Sequence, residues 1–328
     1  MDTSPALLEI KNLETHLFLR EGTARVVDGL SLMIKKGETL ALVGESGCGK
    51  TMTAYSVMRL VPSPPGRIVG GSILFENKDL LTVSEKAMRG IRGDRISMVF
   101  QEPLTSLNPV FRIGSQIGEV LHVHRRMKKR QVRDRTLQLL TDVGIPSPHH
   151  RINDYPHQMS GGMRQRVMIA MALACEPDLI IADEPTTALD VTVQAQIMEL
   201  LQHLKEKRDM AMLLITHDLG IVAETAETAA VMYAGRIMEY TDVKTLFGEP
   251  LNPYTRGLLA SLPHVASGKL RAIKGMVPSL TGLPPGCKFS TRCEYAFDKC
   301  FVSEPELQDA NTANGSRHLV RCWLYQRD

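Results

Sequence analysis

The 328-residue sequence predicts an α/β fold, a parallel sheet covered by helices with antiparallel strands at its start. Three observations carry that expectation. A strand, a glycine-rich loop and a helix follow one another over residues 39–58. Short apolar runs at 96–100, 179–182 and 212–216 alternate with helical stretches. Residues 7–13 and 29–35 show the alternation of half-buried antiparallel strands.

Taken in order, 7–13 and 29–35 form the antiparallel start, and Lys36-Gly37-Glu38 is the turn into the next strand. That strand, Thr39-Leu40-Ala41-Leu42-Val43, runs into Gly44-Glu45-Ser46-Gly47-Cys48-Gly49-Lys50-Thr51, which matches G-x-x-x-x-G-K-[ST], and residues 51–58 continue as a helix. Glycines at 44, 47 and 49 let the backbone curl without Cβ clashes, so successive N–H groups can face phosphate oxygens. The helix opening near Lys50 adds the positive end of its dipole. The pattern predicts a nucleoside triphosphate site in which Lys50 bridges the β- and γ-phosphates and the Thr51 hydroxyl is a ligand of Mg²⁺.

The strand at 96–100 ends at Gln101, whose amide is placed to touch both Mg²⁺ and an attacking water. Helical stretches near 113–123 and 130–143 follow. Between them stands Arg125-Arg126-Met127-Lys128-Lys129-Arg130, a solvated face or a docking surface for an acidic partner. Met159-Ser160-Gly161-Gly162-Met163-Arg164 then leads into a helical run at 167–172. It is a second helix N-terminus and a second anion site, more than a hundred residues from the first. At the C-terminal end of the apolar strand 179–182, Asp183 is assigned to Mg²⁺ and Glu184 to general-base or water-positioning duty. An amphipathic helix at 193–208 and a strand at 212–216 follow. The latter puts His217 at the same sheet edge, within reach of a γ-phosphate if the strands are parallel. A hairpin is expected at 229–239, and the proline- and glycine-rich texture past Pro250 places a boundary near 250–260.

The composition bounds the reading. A 43% hydrophobic content supports a full core, and a net charge of +3 gives no reason to invoke a polyanionic partner. No run approaches the roughly 18 apolar residues of a membrane span, and Met1-Asp2-Thr3-Ser4-Pro5 lacks the marks of a signal peptide, so a cytosolic chain is expected. Cys287, Cys293, Cys300 and Cys322 are spaced C-x5-C-x6-C-x21-C. Four thiolates suit Zn²⁺ or an iron–sulfur cluster, although the tight C-x2-C of common zinc sites is absent; reduced structural cysteines are the other reading.

The order of these elements, loop, glutamine, Ser-Gly-Gly signature, Asp-Glu pair, Ala188-Leu189-Asp190 and His217, resembles that of ATP-binding cassette (ABC) ATPases over residues 7 to about 240. The resemblance implies a P-loop NTPase cassette at 1–250 with an antiparallel β subdomain and a helical subdomain at about 103–175. It also implies a head-to-tail dimer, with ATP between the phosphate loop of one cassette and Ser160, Gly161 and Gly162 of the other, and with Asp190 in the loop that communicates across the interface. Met163 departs from the family's usual glutamine; the backbone and Ser160 still supply the phosphate contacts. Phe18 is the candidate adenine-stacking aromatic, with Leu17 competing for that register.

Gln101-Glu102-Pro103-Leu104-Thr105-Ser106-Leu107-Asn108-Pro109 and Tyr155-Pro156-His157-Gln158-Met159 are similar to the oligopeptide and dipeptide importer branch. So are Asn252-Pro253-Tyr254-Thr255-Arg256 and Pro284-Pro285-Gly286-Cys287 with Arg292-Cys293, which makes 251–328 the branch's short cysteine-containing C-terminal extension. Some members of the branch are associated with a 4Fe-4S cluster held there. The implied function is an ATP-hydrolysing importer subunit for di- or oligopeptides at the cytoplasmic face of the cell membrane. The implied partners are a second ATPase subunit, usually a paralogue in this branch, two transmembrane permeases and, indirectly, an extracytoplasmic substrate-binding protein. A nickel or other small-solute importer of the same build is the alternative. A soluble cassette protein acting on nucleic acid or ribosomes commonly carries two cassettes, whereas one phosphate loop and one signature occur here; no nucleic acid is expected among the partners.

Overall fold

The computed structural model describes residues 6–102, 106–187, 189–261, 273–310 and 317–326. Pro103, Leu104 and Thr105 of the Gln101 motif, and Ala188 of Ala188-Leu189-Asp190, lie outside the described residues. By contact density the chain forms two compact units, one built mainly from residues 82–214 and one from 6–34, 39–81 and 215–328. The segment beyond 250 therefore belongs to the same unit as the phosphate loop.

In the first unit, β6 (Ile96–Val99) runs parallel to β7 (Leu179–Asp183), with Ile96 opposite Leu179 and Val99 opposite Ala182. The next strand, β8 (Ala211–Thr216), adds its residues up to Leu214. Every residue of β6 and β7 is buried, which is why these strands read as unbroken apolar runs rather than alternations. The helices Ile113–Arg125, Lys129–Asp142, Gly161–Ala172 and Val191–Lys207 match the expected helical stretches. Arg126, at φ 49°, ends the first of them, so the basic run is a break between two helices. Within that run Arg125 pairs with Asp94 at 3.1 Å and also donates to the Cys175 carbonyl, while Arg126 and the residues at 128–130 are exposed.

In the second unit a four-stranded sheet has the order β2-β1-β4-β5, from β1 (Ala6–Leu19), β2 (Gly22–Lys35), β4 (Gly66–Phe75) and β5 (Lys78–Asp79). The first two strands are twice as long as their sequence pattern indicates, and β4 has no clear pattern at all. The reason is a bulge. The β1–β4 register shifts between Lys11 and Glu14, with Asn12 at φ 46° and Gly71 at φ +86°. A Cβ on Gly71 would sit 2.4 Å from the Asn12 carbonyl oxygen, so the bulge requires glycine in a segment that otherwise pairs as a strand.

The same unit holds a second set of strands in the order β11-β12-β10-β9-β3. Here β3 (Thr39–Val43) is parallel to β9 (Thr228–Tyr233), and β9 turns through Ala234 and Gly235 into β10 (Arg236–Asp242). Positive φ at both turn residues, 46° and 83°, is what a tight two-residue hairpin demands. From the C-terminal segment, β12 (Leu319–Val320) pairs with β10, and β11 (Gln308–Asp309) with β12. Val43, Val231, Tyr233, Tyr254, Leu259 and Phe289 share one apolar cluster. The segment beyond 250 thus packs on the same apolar core as β3 and β9 instead of supporting a separate one.

Candidate functional site

In the unit that carries the phosphate loop, β3 ends at Val43 and the helix Lys50–Val57 begins after Gly49. Gly49 caps that helix at φ +110°, and a Cβ there would lie 2.2 Å from the Val26 carbonyl oxygen. Gly44 is as confined, with its would-be Cβ 2.1 Å from the Met232 carbonyl oxygen, whereas Gly47 is open to solvent. Lys50 is only 4% exposed, and its ammonium donates to the carbonyls of Gly44 at 2.7 Å and Glu45 at 3.1 Å. The loop therefore wraps a buried cation while Ser46 and Gly47 face outward and Thr51 is half-buried. Burial pushes the Cys48 thiol up, partly opposed by the Lys50 charge, so this cysteine is a neutral packing residue. Gly49→Ala combines a left-handed φ with a backbone clash and should cost more than about 1–3 kcal/mol of loop stability. The measurement is nucleotide titration of the folded variant, with loss of binding expected.

Glu45 is fastened twice. Its backbone N–H donates to the Tyr254 hydroxyl at 3.0 Å, and its carboxylate accepts from the Arg292 guanidinium at 2.9 Å. In the same unit His217 follows β8 and is exposed; the Asp218 N–H donates to the Thr216 hydroxyl at 3.0 Å, and Asp218 caps the next helix. Phe18 is 50% exposed, in edge contact with the His16 ring at 6.4 Å, so it is not a core aromatic; Leu17 is half-buried.

In the other unit Asp183 ends β7, 1% exposed. Glu184 follows in the left-handed region at φ 44°, an uncommon conformation for a glutamate and one that clusters at functional sites. One of its carboxylate oxygens, Oε2, accepts from Gln101 Nε2 at 3.1 Å and from the Thr187 hydroxyl at 2.9 Å. Gln101 and Glu184, read separately from the sequence, are thus brought together. Ser160 caps the helix Gly161–Ala172 by accepting from the Met163 N–H at 3.3 Å, and Ser160 and Gly161 are exposed. Asp190 caps Val191–Lys207 through the Val193 N–H at 3.0 Å. The Asp190 side chain is thus engaged in a local capping task.

The four late cysteines line one cavity of about 20 Å³, shared with Phe289, Trp323 and Arg321. All four are free thiols. Burial pushes Cys287 up to about 12 and Cys322 up to about 11, with the neighbouring cysteines pushing the same way, and burial also raises Cys293. Among the described residues no three His, Cys, Asp or Glu side chains are gathered as ligands of a metal ion. This arrangement lends no support to the zinc reading of the four cysteines.

Three contributors escape the sequence reading: Thr187, Tyr254 and Arg292. Thr187 stands three residues past Glu184 and has a local signal, a hydroxyl within reach of the carboxylate across a turn. Tyr254 and Arg292 have none, being 209 and 247 residues from Glu45.

Two family descriptions match the chain: ABC transporter at residues 27–187, and the oligopeptide/dipeptide transporter C-terminal region at 238–300. The oligopeptide transport ATP-binding protein AppD of Bacillus subtilis is 52% identical, over 98% of this chain and 98% of that protein. The dipeptide transport ATP-binding protein DppD of the same organism is 49% identical, over 97% of this chain and 94% of its own length. Among solved structures, a dimeric post-hydrolysis state of the ATP-binding cassette MJ0796 bound to ADP and Pi superposes with a TM-score of 0.65 at 28% identity, covering 72% of this chain and 98% of that one.

Proposed function

The chain belongs to the ATP-binding cassette family of transport ATPases, and on that premise we propose that it is the ATP-hydrolysing subunit of an importer that takes up oligopeptides or dipeptides through membrane permeases. The observation that carries the cargo is the oligopeptide/dipeptide transporter C-terminal match at 238–300, joined to near-full-length identity of about one half with relatives named for these cargoes. Uptake of labelled peptides by the chain reconstituted with its permeases and binding protein tests it. Peptide-stimulated ATP hydrolysis is expected; stimulation by nickel or another small solute in place of peptides would move the cargo to the alternative reading.

Within that function, Lys50 holds the β- and γ-phosphates, and Thr51, Gln101 and Asp183 are the side chains that would hold Mg²⁺. When bound, Mg²⁺ neutralises charge developing on the phosphate oxygens. Glu184 takes a proton from water as the water oxygen attacks the γ-phosphorus; the bond to the β–γ bridging oxygen breaks, giving ADP and phosphate. Gln101 and Thr187, both bonded to Glu184 Oε2, orient that carboxylate. His217 contacts the γ-phosphate, and Phe18 stacks on adenine, a role its exposure supports. Ser160, Gly161 and Gly162 close on ATP held by a second cassette, a paralogue of this chain. Exposed Val110 and Phe111, 71% and 54% accessible, support the stretch after Gln101 as the surface that meets the permeases. Among the described residues no helix is long and apolar enough to cross a membrane, consistent with attachment through those partners at the cytoplasmic face. The cassette is assigned to 1–250, its helical subdomain to about 103–175, and the extension to 251–328.

An iron–sulfur cluster held by Cys287, Cys293, Cys300 and Cys322 is supported only by the convergence of the four thiols on one cavity. At about 20 Å³ that cavity has room for roughly one water, so its walls would have to part to admit a cluster. Anaerobic purification with iron and acid-labile sulfide analysis tests this. Four irons per chain is the expected outcome, and a colourless, iron-free protein would assign the cysteines to packing.

A further inference from the structure

We propose that Arg292, in the segment beyond residue 250, is a positioning residue for the nucleotide site, acting through Glu45 on Lys50. The inference deepens the ATPase reading above and rests on it. The contacts form a continuous path inside one compact unit. The guanidinium of Arg292 donates to Glu45 Oε2 at 2.9 Å, and Glu45 occupies the second position of the phosphate loop. The Glu45 carbonyl in turn accepts from the Lys50 ammonium at 3.1 Å. Moving Glu45 therefore moves an acceptor that aims the phosphate-binding cation.

A surface ion pair contributes at most about 1 kcal/mol, because water screens it and both side chains give up freedom. The Arg292 pair is built differently. Its side chain is 5% exposed and that of Glu45 26%. The guanidinium also donates through Nε to the Lys274 carbonyl at 3.0 Å and through Nη1 to the Tyr233 hydroxyl at 3.4 Å, and lies 5.7 Å from the Tyr233 ring centre and 5.9 Å from that of Phe289. Burial alone would lower the basicity of Arg292; its bonds to Glu45 and Tyr233 more than reverse this and hold it above its ordinary value.

The platform beneath comes from distant parts of the chain. Tyr233 ends β9, Tyr254 lies on the helix Pro253–Ala260, and Phe289 belongs to the extension; their ring centres are 4.7, 5.3 and 5.2 Å apart. Tyr254 also accepts the Glu45 N–H, so backbone and side chain of one loop residue are both held by the aromatic cluster and the arginine stacked on it. Arginine suits this post better than lysine, since a planar guanidinium can stack and donate in several directions at once. The extension in this reading completes the binding half of the ATP site.

The test is MgATP dependence of hydrolysis in the assembled transporter, with equilibrium nucleotide titration of the purified full-length chain. Arg292→Ala should raise KM and Kd for MgATP about tenfold, which corresponds to about 1.4 kcal/mol, with kcat at saturation within about twofold of wild type. Arg292→Lys should recover most of the affinity, because an ammonium still pairs with Glu45. Glu45→Gln should weaken binding similarly, and the double variant Arg292→Ala/Glu45→Gln should be no worse than the poorer single, since both delete one contact. If Arg292→Ala is poorly folded by circular dichroism, the Lys and Gln variants carry the comparison. Unchanged KM in folded Arg292→Ala or in Glu45→Gln, strictly additive effects, or an equal loss in kcat without a change in Kd would overturn the proposal. Failure of the wild-type chain to bind MgATP would instead overturn the ATPase reading itself.

Discussion

Glu184→Gln is expected to reduce kcat for ATP hydrolysis by about 10²–10⁴ while MgATP binding stays near wild type, because a positioned general base contributes about that factor and little to ground-state affinity. The substitution is nearly isosteric. The glutamine side chain can still accept at the position of Oε2, so the bonds from the Thr187 hydroxyl and the Gln101 amide can persist, and the loop geometry should be retained. Only the capacity to take a proton from water is lost. The left-handed φ of 44° makes the backbone unusual here, and the two side-chain bonds fix which way the carboxylate faces. Phosphate release under single-turnover conditions, alongside nucleotide titration, separates the two quantities. Hydrolysis at the wild-type rate would remove Glu184 from the catalytic role and leave it as a turn residue bonded to Thr187.

How much of this site is legible in the sequence follows from how far apart its parts lie along the chain. The phosphate loop is legible because a strand, three glycines, a lysine and a helix act within twenty residues, and glycine's backbone freedom is a property of the residue itself. The buried strands β6 and β7 are legible as unbroken apolar runs. By contrast, β4 pairs through a bulge that needs Gly71, and its glycines mask the strand pattern. The Gln101 to Glu184 bond spans 83 residues; each partner was identified from its place after a strand, and the parallel pairing of β6 and β7 is what joins them. No local signal of that kind marks Arg292. A lone arginine beside a cysteine in a proline-rich tail looks like surface until the fold sets it on Tyr233 and Phe289. The cysteines are the reverse case: their spacing marks four thiols that converge on one small cavity, and it does not say whether they ligate a metal or only pack.

Glu239→Ala should destabilise the phosphate-loop unit by about 3 kcal/mol or more, because it removes the shared acceptor of several buried hydrogen bonds. Glu239 lies in the middle of β10 and His318 just before β12; both are fully buried, with Glu239 Oε1 2.7 Å from His318 Nε2. The same carboxylate accepts the backbone N–H of Leu251 at 2.7 Å and of Asn252 at 3.0 Å. Truncation therefore strands three hydrogen-bonding groups in a site that water does not reach, and each buried donor left alone costs about 1–3 kcal/mol. The loss also spreads. Asn252 caps the helix Pro253–Ala260 by accepting the Tyr254 N–H at 2.9 Å, while its amide donates to the carbonyls of Met238 and Arg321. Since Tyr254 also holds the Glu45 N–H, loosening Asn252 should weaken nucleotide binding as well as stability, although Glu239 touches no part of the loop. Glu239→Gln keeps one acceptor for the two backbone donors and should lose distinctly less than the alanine. Thermal melting of the two variants checks the order, and saturating MgATP should recover part of the loss by binding only the folded form. Equal melting of Glu239→Ala and wild type would mean that β10 and the C-terminal segment are held together by apolar packing alone.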